Sequence, residues 1–178
     1  MACTTLTNIS KSCDNNMGGI RQVWLWDMED KIPASSSFST STWTWSAYDV
    51  SGSANIASFE FIRNASNYTE ETNIDLVNGS SFVTTTLTLV FTRREASKSK
   101  AIKVLGEGQR YLGALVKDSN NLYWLFEDLQ LSGVGDGSGT AKADGSKYNV
   151  TLVGETLDLA GEISEADATD LIASGSFA

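Results

Sequence analysis

The stretch "DLVNGSSFVTTTLTLVFTRRE", Asp75 to Glu95, decides how this chain is read. Successive side chains of a strand face opposite ways, so a two-residue period sorts them onto two sides. From Ser81 to Thr92 one side receives Val83, Thr85, Leu87, Leu89 and Phe91. The other receives Phe82, Thr84, Thr86, Thr88, Val90 and Thr92, a ladder of small neutral hydroxyls. Asn78-Gly79 just upstream is a strong hairpin signal, because both residues tolerate positive φ. The preceding "NYTEETNIDLV", Asn67 to Val77, is also strand-like. The pattern therefore predicts a hairpin over about 67–92, turning at Asn78-Gly79 with Val77 opposite Ser80. Folded so, Asp75 meets Phe82, Asn73 meets Thr84, Glu71 meets Thr86 and Thr69 meets Thr88. The polar face is Thr69, Glu71, Asn73, Asp75, Thr84, Thr86 and Thr88, acidic and without a positive charge. The opposite face is Tyr68, Glu70, Thr72, Ile74, Leu76, Val83, Thr85, Leu87, Leu89 and Phe91, mostly apolar. Widening the turn by two residues would shift the partners but keep both faces.

Arms of roughly ten to twelve residues are long against a usual five or six. Such arms expose edges that invite pairing with other chains, and closing them around a ring abolishes the edges. A large barrel leaves an aqueous channel. The threonine face would line it, and Glu71 and Asp75 would repel phosphate. The apolar face, with Tyr68, Ile74, Leu76, Val83, Leu87, Leu89 and Phe91, would serve the core and self-assembly.

The 178 residues suit one domain, with an ordinary globular share of 41% hydrophobic and 20% charged residues. No apolar run is long enough to cross a bilayer, and the opening "MACTTLTNISKSCDNN" has no apolar signal segment. The net charge of -9 argues against nucleic-acid binding through phosphate neutralisation. Cys3 and Cys13 read as reduced thiols, with a disulfide or a two-ligand metal clip as the alternative. There is no histidine, which removes Ser-His and Cys-His activation and His-containing zinc sites. Paired carboxylates could still hydrolyse glycosides, but nothing marks such a pair.

Further strands are expected in "IRQVWLW" (Ile20 to Trp26), "SFEFIR" (Ser58 to Arg63), "RYLGALVKD", "NLYWLFEDLQL" and "SKYNVTLVG". Between the first two, the Ser/Thr-rich segment of about 31–55 around the single proline, Pro33, reads as an extended loop. A helix of about 93–106 is expected, with Thr92 as N-cap, Glu95 completing a capping box and Gly106 or Gly108 as stop. "SEADATDLIASG" reads as a second, short helix capped by Ser164 and stopped by Gly175. The fold class expected is mainly β, a sandwich or barrel with a long hairpin and one flanking helix.

Three motifs invite functional readings. "GVGDGSGTAKADG" lacks the helix and the lysine of a phosphate loop and has no EF-hand spacing, so it reads as a connection between strands. Trp24, Trp26, Trp43, Trp45 and Trp124 could form a sugar platform. Each spaced pair, Trp24/Trp26 and Trp43/Trp45, would share a strand face, and burial is the favoured reading. The basic run Arg93, Arg94, Lys98, Lys100 and Lys103 is a solvated helix face or an inter-subunit surface met by a neighbour's acidic residues.

The order of long hairpin, capped helix, "VKDSNNLYWLFE" and "GTAKADGSKYNVTLVGE" resembles bacteriophage tail tube proteins, best over roughly Ile56 to Gly161. The opening "KSCDNNMGGIRQVWLWD" is similar to the start of tail proteins from phages of Bacteroidetes-type hosts. The resemblance implies a non-enzymatic structural virion protein without cofactor or metal. Six copies would close a β-barrel with their hairpins, and the rings would stack into a tube that conducts DNA. Partners would be further copies, the tape measure, terminator and distal tail proteins, and phage DNA passing non-specifically, with no membrane. The location would be the phage tail, after assembly in the host cytoplasm. Alternatives are another tail component of the same fold, a tail terminator or distal ring, or a carbohydrate-binding β-sandwich using the tryptophans, with a carboxylate hydrolase more distant.

Overall fold

Long alternating strands need a second layer to cover their apolar face, and this chain supplies it with two sheets that share one strand. The computed structural model describes residues 8–61 and 64–175. The strands are β1 (Ile20–Asp27), β2 (Ser37–Ser39), β3 (Thr44–Ala47), β4 (Ala57–Phe59), β5 (Asn67–Asp75), β6 (Ser80–Thr92), β7 (Leu112–Asp118), β8 (Tyr123–Gly137), β9 (Lys147–Thr156) and β10 (Gly161–Ile163). The helices are α1 (Ala96–Leu105) and α2 (Glu165–Ser174), with short 3-10 turns at Met28–Asp30, Pro33–Ser35 and Glu107–Gln109. The fold is mainly β, as the alternation predicts.

One sheet runs β2-β3-β10-β8-β7-β1-β4, and the other runs β5-β6-β9-β8. β8 belongs to both. Its first half, Tyr123 to Leu129, pairs with β7 and β10, and Gln130 to Gly137 pairs with β9. Asp128 at the junction has φ 57, a left-handed residue that turns the strand from one sheet into the other.

The two sheets close on one core. Leu87, Leu89 and Phe91 of β6 and Tyr148, Val150 and Leu152 of β9 cluster with Val23 and Leu25 of β1 and Ala114 and Val116 of β7. Tyr68 meets Phe126 and Phe91 meets Phe59 across this layer, with ring centroids 5.1 and 5.9 Å apart. α1 adds Ile102 and Leu105 to it. The other face of β1 and β7 carries Trp24, Trp26 and Leu115, covered by Tyr48, Val50, Ala54, Ile56 and by Ala168 and Leu171 of α2. β1 is thus buried on both faces, which explains its unbroken apolar run. Gly113 is where Trp26 fits: a Cβ there would collide with the Trp26 indole. Overpacking costs roughly 1–3 kcal/mol, so Gly113→Ala is expected to lower the thermal midpoint by roughly 2–4 °C per kcal/mol. A calorimetric midpoint equal to that of the wild type would refute that packing.

Several expectations are corrected. The hairpin turns through four residues, 76–79, with Asp75 opposite Ser80 rather than Val77. The Asp75 carboxylate accepts from Val77 N (2.8 Å) and Asn78 N (3.1 Å) and from the Asn78 side chain, and its backbone carbonyl accepts from Gly79 N. This local network displaces the two-residue turn, and only Gly79 takes positive φ, at 67. Thr92 does not cap α1, because it stays in the ladder opposite Lys147. Glu95 is the N-cap without a side-chain bond, Ala96 is exposed, and Gly106 closes the helix as expected. α2 is capped by the Ser164 hydroxyl accepting from Asp167 N, and Gly175 stops it as expected.

The segment of 31–55 is no open loop. β2 and β3 form a small hairpin whose β3 lies parallel to β10, and Lys31 bridges Val50. Trp43 sits in its turn at φ 59, so Trp43 and Trp45 share no strand face. Both instead pack on Phe38, with centroids 5.4 and 5.0 Å away. The first half of the glycine-rich run continues β8 to Gly137, and the connection to β9 is shorter than the sequence suggests. "SFEFIR" forms a strand only to Phe59, and its last two residues lie outside the described residues. Cys3 also lies outside them, and Cys13 is exposed and free.

Candidate functional site

The outward side of the sheet β5-β6-β9-β8 is the surface the sequence singles out. Its rows follow from strand register, since directly paired residues point the same way. Asp75 pairs with Ser80 and Asn73 with Phe82. Glu71, Thr84 and Glu155 make the next row, then Thr69, Thr86, Val153 and Gln130. Asn67, Thr88, Thr151 and Gly133 follow, then Val90, Asn149 and Gly135, and last Thr92, Lys147 and Gly137. All seven residues predicted for the polar face therefore share one side. Thr84, Thr86 and Thr88 are half-buried between neighbours, and Asn73 Nδ2 donates to Thr84 Oγ1 at 2.9 Å.

The surface is wider than the hairpin. β9 and β8 add Glu155, Thr151, Asn149, Gln130 and three glycines, which the sequence reading did not place there. The signal was present: Tyr148, Val150 and Leu152 alternate with Asn149, Thr151 and Val153. The added strand also brings one cation, Lys147, to the far end, so the hairpin lacks positive charge but the full face does not.

The opposite side divides along its length. Val83, Leu87, Leu89 and Phe91 are buried, and Tyr68 is half-buried against the same core. Ile74 is 66% exposed, Leu76 90% and Val77 93%. The predicted core face thus ends about Val83, which is also where the pairing of β6 with β9 ends at Thr156, and among the described residues the apolar side chains beyond it are exposed. Glu70 marks the boundary: its carboxylate accepts from Ala160 N at 2.8 Å. Partial burial holds its pKa above the ordinary carboxylate range. At the tip, the hydrogen bonds from Asn78 and Val77 hold Asp75 below that range.

Two strand edges of this sheet are open among the described residues. β5 pairs only with β6, and Gln130 to Gly137 of β8 pair only with β9. The four strands alternate in direction, so the two edges run antiparallel to each other.

The basic run lies at the end away from the tip. Lys98 Nζ donates to Thr92 O at 2.8 Å and lies 3.5 Å from Glu95, Arg93 pairs with Glu95 at 3.2 Å, and Arg94 lies over the Tyr148 ring. The tryptophans form no common platform. Trp24 and Trp26 are core, and Trp45 is held by Phe38, Tyr48 and the Lys31 ammonium 5.3 Å from its ring. Among the described residues no group of three His, Cys, Asp or Glu side chains could hold a metal ion, and no helix is long and apolar enough to cross a membrane.

What the geometry defines is a β-rich protein with a hydroxyl-lined sheet face bounded, among the described residues, by two open edges. No protein-family model and no curated protein matches the chain.

Proposed function

We propose that the protein is a non-enzymatic, self-assembling tail tube subunit whose rings stack into a conduit for phage DNA. The observation that supports this reading most is the pair of open, antiparallel edges flanking the threonine face. Open edges of this length are a liability unless another strand covers them. β5 of one copy can add to Gln130–Gly137 of β8 in the next, because an even number of strands leaves complementary directions. Six copies, as the resemblance implies, would join about 24 strands spaced by about 4.8 Å, a wall roughly 40 Å across or wider with tilt. The side chains then facing inward include Thr69, Thr84, Thr86, Thr88, Thr151, Asn149 and Asn73, small and uncharged, with Glu71, Asp75 and Glu155, and Lys147 at the far end. Hydroxyls give a moving duplex no cation to hold, and the carboxylates repel its phosphates. The buried side of the same strands anchors the wall to the rest of the protein.

Negative-stain microscopy and light scattering over a concentration series test the reading. Rings with a central hole, and tubes at high concentration, are expected. A species that stays monomeric at high concentration, with neither rings nor tubes in micrographs, overturns it.

A further inference from the structure

The hairpin sheet has two chemically opposite ends. From Ser80 to Thr92 it spans 13 residues, about 40 Å at the usual rise. At the tip end stand Glu70, Glu71, Asp75, Glu155 and Asp158, and no Lys or Arg occurs anywhere in 64–92 or 148–163. At the other end stand Arg93, Arg94, Lys98, Lys142 and Lys147, against Glu95, Asp144 and, by its place opposite Tyr148, Asp136. Their common location follows from the backbone: Arg93 N donates to Ser146 O, Arg94 N to Ser146 Oγ, and Lys98 Nζ to Thr92 O. The acidic end also carries the largest exposed apolar group of the sheet. Ile74, Leu76 and Val77 project there, joined by Leu157, 81% exposed, just past the last β9 residue paired to β6.

We propose that these two ends dock on each other, so that a second copy of this chain seats its Arg/Lys end over the apolar, carboxylate-flanked tip of the first. Long basic side chains suit such a surface: their aliphatic stems cover apolar groups while their charged heads reach the surrounding carboxylates. The arrangement is self-complementary only head to tail. Tip against tip places five carboxylates opposite five, and base against base places cations opposite cations. The contact is therefore heterologous and does not close, which extends an assembly along the hairpin axis. The direction of stacking is thus fixed by charge, and the apolar tip supplies the surface removed from water. This inference rests on the tube reading for its ring geometry, but the docking itself is a property of the two ends.

The test uses charge reversal at exposed positions that line no part of the threonine face. Val77→Lys with Asp158→Lys leaves four carboxylates against two ammoniums and cuts the net charge of the tip from -5 to -2, and Arg93→Glu with Lys142→Glu makes the base negative. Rings are counted by sedimentation and tube length is measured in micrographs. Each double variant is expected to keep its rings and to lose axial association by at least about tenfold. The fourfold variant leaves both ends negative and is expected to form no tubes at low salt. Wild-type tubes should shorten between about 0.1 and 1 M salt, as the screening length falls from about 10 to about 3 Å. Unchanged tube length in both double variants, or tubes at low salt in the fourfold one, overturns the docking. Rings that stack without regard to charge or salt defeat the docking alone. Association that is sensitive to salt and to these charge changes, without rings, defeats the ring reading alone. No association of any kind defeats both.

Discussion

Leu87→Lys is expected to leave almost no folded protein. Leu87 is fully buried, flanked in its row by Tyr68 and Leu152 and clustered with Leu25, Ala114 and Phe126 from the facing sheet. A lysine there would be set among aliphatic and aromatic side chains. An unpaired buried ammonium costs several kcal/mol even after relaxation. Domains have about 5–15 kcal/mol of stability in total, so one such charge consumes most of it. Soluble yield should collapse, and any recovered protein should lack a cooperative thermal transition by circular dichroism. A soluble variant with a normal transition would mean that Leu87 does not sit between the two sheets.

Thr86→Lys, one residue away, is expected to behave in the opposite manner. Thr86 points to the outward side, half-buried between Thr69 and Val153, where a lysine can extend into water. Folding should be unaffected within about 0.5 kcal/mol, as for surface changes away from special features. Under the tube reading the variant adds one ammonium per copy to the bore, six per ring, repeated in every ring. Each exposed contact with phosphate is worth about 1 kcal/mol or less, but a passing duplex meets many at once. Tubes should form, while infectivity in a complementation assay falls by roughly tenfold or more. Wild-type infectivity with intact tubes would remove the threonine face from the bore. A folded variant that forms no rings would instead make that face a subunit interface.

The contrast between these neighbours was legible in the sequence, because the two-residue period alone assigns residues 86 and 87 to opposite sides. The register was not. The expected Val77–Ser80 pairing assumed a turn made by Asn78-Gly79 alone, whereas Asp75 recruits three donors from the next residues and lengthens the turn. Both faces survived, since the shift was by two residues. The cap of α1 failed for a related reason: Thr92 can cap a helix or finish a strand, and its pairing with Lys147 won. The loop expected over 31–55 hid two short strands, one of which, β3, pairs with β10 more than a hundred residues away.

What the sequence by itself determined is local: the alternation, the two faces of the hairpin, the turn region, the second helix with its caps, and a hairpin free of cations. These depend on side chains within a few residues of one another. The tertiary structure alone decided which strands lie side by side. It placed Glu155, Thr151 and Lys147 on the threonine face, bent β8 at Asp128 from one sheet into the other, left two edges open and left Ile74, Leu76 and Val77 uncovered. Strand neighbours are chosen by the apolar area buried across the whole core, to which segments distant in the chain contribute together, and no short stretch carries that sum.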